Sequence, residues 1–179
     1  MAKKLDLAHI TEQLRPLAVS IDQLNTDPAN ARRHPEKNLA ATEASLQLYG
    51  QRKPLVVRRQ GMIVEAGNGT LEAAKRLGWT HVAVVLVDDD LVTATGYAIS
   101  DNRTGELAVW DEATLGKLLG ELKAEDVMLG PLGWTDADLD KILGAVPAFT
   151  AQPSESQPNL AKLEPKPCPH CGKDTRVAP

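Results

Sequence analysis

Four consecutive residues, Gly67-Asn68-Gly69-Thr70, have the types and spacing to hold an anion. They sit between a β-branched run, Ile63-Val64, and a helical pattern that opens at Leu71. A strand that delivers the chain through such a turn into a helix start aims free backbone N–H groups at one space, and the helix adds partial positive charge there. Glycines on both sides of Asn68 permit positive φ and close approach of a ligand. Thr70 is expected to be the N-cap of a helix running to about Leu77, closed by Gly78. Phosphate suits the turn best. No Gly-Lys-Ser/Thr follows, so it is not a P-loop, and Leu71-Glu72 stands where a dinucleotide fingerprint needs its third glycine. The plainer reading is a turn whose glycines serve geometry alone.

Carboxylates are the second chemistry. Glu65 precedes the turn, and Asp88-Asp89-Asp90 end a strand-like run. Mg²⁺ takes one or two carboxylates together with substrate phosphates. Glu65 is thus the candidate catalytic residue and Asp89 the candidate magnesium ligand of a nuclease or NTPase. The plainer reading is a solvated strand exit that caps the next helix. The third chemistry is soft. Cys168-Pro-His-Cys171 is half of a zinc ribbon, and these are the chain's two cysteines. Zn²⁺ wants four ligands, so either two chains share one ion or the motif is a remnant. His9, His34, His81 and His170 have no metal or catalytic spacing with one another, and His34 reads equally as a phosphate contact and as an exposed loop residue. No Ser-His-Asp or Cys-His arrangement has motif support.

Charge is uneven. The chain of 179 residues carries a net −4. Residues 1–60 hold ten Lys/Arg against six Asp/Glu, whereas residues 61–144 hold six against fifteen. Arg32, Arg33, Arg52 and Lys53 are the candidate DNA-contacting residues of that basic first third. No apolar run approaches the roughly 18 residues of a membrane span. The N-terminus has no apolar signal core, and the cysteines are too close to staple a fold. A cytoplasmic protein without a membrane partner is expected.

The elements that must position these groups read as α/β (α+β): a small mixed sheet with packed helices. A first strand is expected over Ala18–Leu24. A Pro/Asn/Asp loop follows, then a helix over Leu39–Gly50. Pro54 to Gly67 reads as a β-hairpin turning at Gln60-Gly61. His81–Asp88 has the near-continuous apolar pattern of a strand covered on both faces. A helix from Leu91 to about Asn102 comes next, then two short helices begun by Asp111 and by a Thr135/Asp138 capping box. Trp79, Trp110 and Trp134 are expected in packing. The domain expectation is 18–110 for the α/β domain, 111–144 for a helical extension, 145–167 for a Pro/Ser/Gln-rich linker and 168–179 for the CxxC tail.

The order of these motifs resembles the N-terminal domain of the ParB family, in the ParB/sulfiredoxin superfamily. The matching stretches are "NARRH" (30–34), "SLQLYGQRKPLVV" (45–57) and "IVEAGNGTLEAAKRLGW" (63–79). "AISDNRTGELAVWDEATL" (98–115) looks like the region that follows this domain in phage and mobile-element ParB-like proteins. The resemblance implies a CTP site, or one for another NTP, with Mg²⁺. Gly67, Asn68, Gly69 and Thr70 would face the phosphates, joined by Arg32, Asn102 and Arg103. It also implies a possible homodimer and work on DNA in partition, modification or packaging, beside a DNA-acting enzyme such as a methyltransferase or terminase. The family's turn reads Gly-Glu-Arg-Arg; here Gly69 and Thr70 replace both arginines. A catalytic cysteine, which sulfiredoxin carries in the equivalent turn, is absent. A third reading follows from the missing arginines: a protein-interaction adaptor whose nucleotide site is dead. Residues 111–144 are too few for the helix-turn-helix domain with which partition proteins read their site.

Overall fold

The computed structural model of the chain describes residues 6–145, 167–168 and 170–172. Residues up to Val146 form one compact unit and those from Pro147 a second. The expected linker therefore lies, apart from its ends, outside the described residues.

The first unit is built on a five-stranded mixed sheet in the order β1-β5-β3-β4-β2. Its strands are β1 (Ala18–Ser20), β2 (Asn25–Thr26), β3 (Leu55–Arg58), β4 (Ile63–Ala66) and β5 (His81–Val87). β3 and β4 form the expected antiparallel hairpin, with Val57 opposite Val64. Its turn needs positive φ at Gly61 and Met62. β5 runs parallel to β3, with Leu55 opposite Val84, and antiparallel to β1. Val82, Ala83 and Val84 are successively buried, as the apolar run predicts, but cover on one face ends there: Val85 is 40% exposed. Val57, Val64, Leu71, Ala73, Ala74 and Val82, all without exposed surface, form the centre of the core.

One expectation on the strands is corrected. Ala18–Leu24 is not a single strand. β1 stops at Ser20, a 3-10 turn occupies Ile21–Gln23, and β2 pairs parallel with β4 on the opposite edge. Ile21 and Leu24 are both buried, a spacing of three that fits a turn and not a strand's alternation. The chain thus crosses from one sheet edge to the other within a few residues.

The described residues also form five α-helices: α1 (Glu36–Tyr49), α2 (Asn68–Arg76), α3 (Leu91–Leu107), α4 (Glu112–Ala124) and α5 (Asp136–Ala145). α1 packs on α2, burying Leu39 and Leu46, and Gly50 ends it at φ +68°. α3 lies against β4 and is capped by Asp90, whose Oδ1 accepts from the Thr93 N–H at 2.7 Å. It runs five residues beyond the expected end at Asn102. α4 and α5 pair around Leu115, Leu119, Leu129 and Leu139. Asp111 caps α4, and Thr135 with Asp138 forms the expected capping box. A short 3-10 turn, Gly130–Leu132, brings this helical pair back against α1.

Gln51 joins the N-terminal segment to the sheet. It is 1% exposed, and its side-chain amide meets both backbone groups of Ala83: Oε1 accepts from the N–H at 2.6 Å, and Nε2 donates to the carbonyl at 2.9 Å. β3 begins one position later, opposite Val84. The side chain therefore stands in for β3 on the side of β5 away from β1, one position before β3 begins to pair. No helix among the described residues is long and apolar enough to cross a membrane.

Candidate functional site

The glycine turn is where strand, loop and two helices converge. Gly67 lies at φ +98°, the left-handed region, and is itself the N-cap of α2. A Cβ there would run into Leu55 Cδ2, so packing as well as φ demands glycine. The expectation that Thr70 caps the helix is thereby corrected. Once Gly67 reverses the chain, helix geometry begins at Asn68, and the Leu71 N–H bonds to the Gly67 carbonyl at 2.9 Å. Thr70 lies within the first helical turn instead.

Gly69 is buried for a different reason. A Cβ on it would lie 2.7 Å from both Cε1 and Nδ1 of His34. The His34 imidazole thus occupies the space that a side chain at residue 69 would need. Nδ1 of His34 lies 2.9 Å from Asn38 Oδ1, which fixes the ring. The loop that delivers His34 is itself ordered by Asx-type bonds. Asp27 Oδ1 accepts from the Ala29 N–H, and Asn30 Oδ1 accepts from the Arg32 N–H.

These groups enclose a pocket of about 240 Å³ at the N-terminus of α2. Arg32 enters from the loop, Asn38 and Thr42 from α1, and Asp101 and Asn102 from α3. Of the residues proposed for phosphate, the fold brings Gly67, Asn68, Gly69, Thr70, Arg32 and Asn102 together here. Arg103 is placed elsewhere: it lines a neighbouring cavity, behind Arg32. Arg32 and Arg103 both pair with Glu106, Arg103 at 3.3 Å. Asn38, Thr42 and Asp101 are pocket residues that sequence reasoning did not assign, and His34, read there as either a phosphate contact or an exposed loop residue, lines the pocket with them. A partial signal existed, since Asn38 and Thr42 are spaced by four and share one face of α1, and His34 precedes that helix's N-cap, Pro35.

The pocket floor holds acceptors without donors. Glu65 is 3% exposed, and neither of its carboxylate oxygens has a hydrogen-bond partner. Asn68 donates from Nδ2 to the Val64 carbonyl at 3.0 Å, which leaves its buried Oδ1 without a partner as well. Burial pushes the Glu65 carboxyl above its ordinary value, and the Asp89 charge adds to this against the opposing effect of Arg58. Burial likewise raises the Tyr97 phenol, with Asp101 and Glu65 contributing. Asp89 is therefore near Glu65, while Asp90 is committed to its cap and Asp88 to an ion pair with Arg59 at 2.9 Å. No group of three or more His, Cys, Asp or Glu among the described residues is arranged to hold a metal ion.

A second, larger cavity of about 600 Å³ adjoins the first. The two share Thr42 and Thr70. Arg52, Lys53 and Tyr49 line it on one side and Pro131 to Gly133 on the other. The Arg52 guanidinium stands 5.1 Å from the centre of the Tyr49 ring. Arg33 is exposed and lines neither cavity. In the second unit, the Cys168 thiol is held below its ordinary value by the backbone N–H groups of His170 and Cys171.

With this geometry in hand, known structures can be compared. The C-terminally truncated chromosome-partitioning protein ParB from Caulobacter crescentus, complexed with CTP-gamma-S, matches at a TM-score of 0.61 and 20% identity, over 70% of this chain and 75% of that one. The fold is ParB-like. The same truncated ParB complexed to the centromeric parS site matches at a TM-score of 0.41 and 19% identity, over 71% of this chain and 64% of that one. A Pnob8-like ParB-N domain matches at 0.39 and 20%, over 61% of this chain and 47% of that one. No protein-family profile and no curated protein matches the sequence.

Proposed function

We propose that this ParB-like chain binds a nucleoside triphosphate as its Mg²⁺ complex and acts as a nucleotide-dependent module in DNA transactions. The observation that carries this reading is the pocket at the α2 N-terminus, which combines helix N–H donors and Arg32 with orphaned acceptor oxygens. A bare triphosphate would meet the N–H groups well and Glu65 badly. A metal–phosphate complex offers both signs at once, which suits a site holding both donors and unpartnered acceptors. Glu65 and Asn68 are the residues that would face the cation, and the helix start, Arg32 and Asn102 those that would face phosphate. The adjoining cavity gives the nucleoside room, beside Tyr49 and Arg52. The ParB of similar fold is complexed with CTP-gamma-S, which makes CTP the first nucleotide to try.

The missing arginines lower the expected affinity, since each charge-assisted bond contributes roughly 1.5–3 kcal/mol. DNA, or a DNA-acting enzyme such as a methyltransferase or terminase, is the proposed partner. Metal-dependent nuclease or NTPase chemistry at Glu65 and an adaptor role with no nucleotide are the competing readings.

The test is thermal unfolding with CTP, ATP, GTP or UTP at millimolar concentration, with and without Mg²⁺. A ligand at 100 times its Kd adds about 2.7 kcal/mol to the folded state. One nucleotide is expected to raise Tm only with Mg²⁺, and Thr70→Glu, which puts a carboxylate at the helix start, is expected to abolish the rise. No rise with any of the four would transfer support to the adaptor. Nicking of plasmid DNA that needs divalent metal and is lost in Glu65→Gln would support the nuclease.

A further inference from the structure

On the reading that this pocket holds a nucleotide, we infer that His34 is a phosphate-contacting residue, acting from the place that a side chain at residue 69 would take. Gly69 lies inside α2 and, unlike Gly67, has no positive φ, so its backbone conformation suits any residue. Glycine is a poor helix former. What excludes a side chain is the His34 ring: a Cβ on Gly69 would meet Cε1 and Nδ1 at 2.7 Å and Cγ at 3.1 Å. A larger helix residue could have filled this space by itself. The chain fills it instead with a polar, half-buried ring delivered by the loop before α1. Asn38 Oδ1 lies 2.9 Å from Nδ1 and fixes the ring by that nitrogen.

The pocket's other side-chain donors are largely engaged. Asn68 Nδ2 donates to the Val64 carbonyl, the Thr42 hydroxyl to the Asn38 carbonyl and Asn102 Nδ2 to the Ala98 carbonyl, while Arg32 is paired with Glu106. His34 Nε2 has no hydrogen-bond partner among the described residues. Asn38 can meet Nδ1 with either end of its amide, so the neutral ring can carry its hydrogen on Nε2 and donate it to a phosphate oxygen. No proton is taken up and none is lost. A ligand here is marked independently by Glu65, 3% exposed in the pocket lining with both carboxylate oxygens unpartnered. His34 thus sets a side-chain donor over the first turn of α2, although Gly67 to Thr70 carry no basic residue.

The probes are CTP and inorganic tripolyphosphate, each with Mg²⁺, titrated calorimetrically into the full chain. His34→Gln carries its amide to the Nε2 position, whereas His34→Asn reaches only the Nδ1 position. His34→Asn should weaken both probes roughly tenfold or more, the loss of one hydrogen bond to a charged group, and His34→Gln should stay within about threefold of wild type. The two unligated variants should unfold at the same temperature. Gly69→Ala, which crowds the ring and leaves His34 itself intact, should also weaken both probes. Equal affinities for wild type and His34→Asn would overturn the contact and leave the ring as packing over Gly69, as would equal losses in His34→Asn and His34→Gln. A loss confined to CTP would overturn it too, by moving the contact to the nucleoside. A wild-type chain that bound neither probe would sink the nucleotide reading itself, and the role of His34 with it.

Discussion

His34 and Gly69 constrain each other more than either constrains the helix. Alanine normally favours a helix over glycine by about 1 kcal/mol. Here Gly69→Ala places its Cβ 2.7 Å from the imidazole, and overpacking of that kind costs about 1–3 kcal/mol. Urea denaturation is expected to find Gly69→Ala less stable than the native protein, and His34→Ala/Gly69→Ala to regain most of the loss; additive effects would contradict the contact. Glu65 makes the pocket sensitive to pH. It binds its proton more tightly folded than unfolded, so its stabilising effect is full below the ordinary carboxylate value of 4.5 and is lost as pH rises through the raised folded value. Wild-type stability should therefore fall over that interval by more than that of Glu65→Gln. The Gln variant should be the more stable of the two at neutral pH, because its amide removes the buried charge.

At the scale of elements, α4 and α5 meet through a glycine. A Cβ on Gly116 would lie 2.9 Å from Ile142 Cγ2 and 3.2 Å from Leu143 Cδ2. Gly116→Val is expected to separate the two helices at a cost of about 1–3 kcal/mol. Amide exchange should quicken across α4 and α5 and stay slow in β3, β4 and β5, whose core is a separate cluster. Uniform quickening would mean that the helical pair and the sheet unfold together. Because the Gly130–Leu132 turn both joins this pair and lines the larger cavity, the same variant should weaken nucleotide binding without touching the phosphate pocket. The capping residues that start these helices were legible in advance: Asp111 and the Thr135/Asp138 pair obey local rules. The failed strand over Ala18–Leu24 was not, because β1 pairs with β5 on one side of the sheet, Ile21–Gln23 turns, and β2, just beyond Leu24, pairs with β4 on the other side.

The whole molecule separates its charge. Net charge is −4, yet the first third is basic, and Arg33 and Arg52 lie just outside the two ends of α1, whose 14 residues span about 20 Å. If DNA lies along that side, each phosphate contact contributes about −0.9 to the slope of log K against log salt. Arg33→Ala/Arg52→Ala/Lys53→Ala is expected to reduce that slope by roughly 2 to 3 and to weaken binding to all sequences alike. Binding that loses one sequence preference and keeps its salt slope would place these residues on bases instead.

The sequence by itself determined the hairpin, the glycine turn, the starts of α3, α4 and α5 and the order of elements, because alternation, capping and positive-φ turns are local properties. The ParB-like arrangement was legible from that order. Only the tertiary structure decided which groups meet. It put His34 in the space over Gly69, buried Glu65 without a donor, drew Arg32 and Asn102 to the pocket and left Arg103 outside it. None of these follows from spacing along the chain. Each depends on how a loop, two helices and a strand end pack around one point, and packing is set by volumes and contacts between residues far apart in sequence.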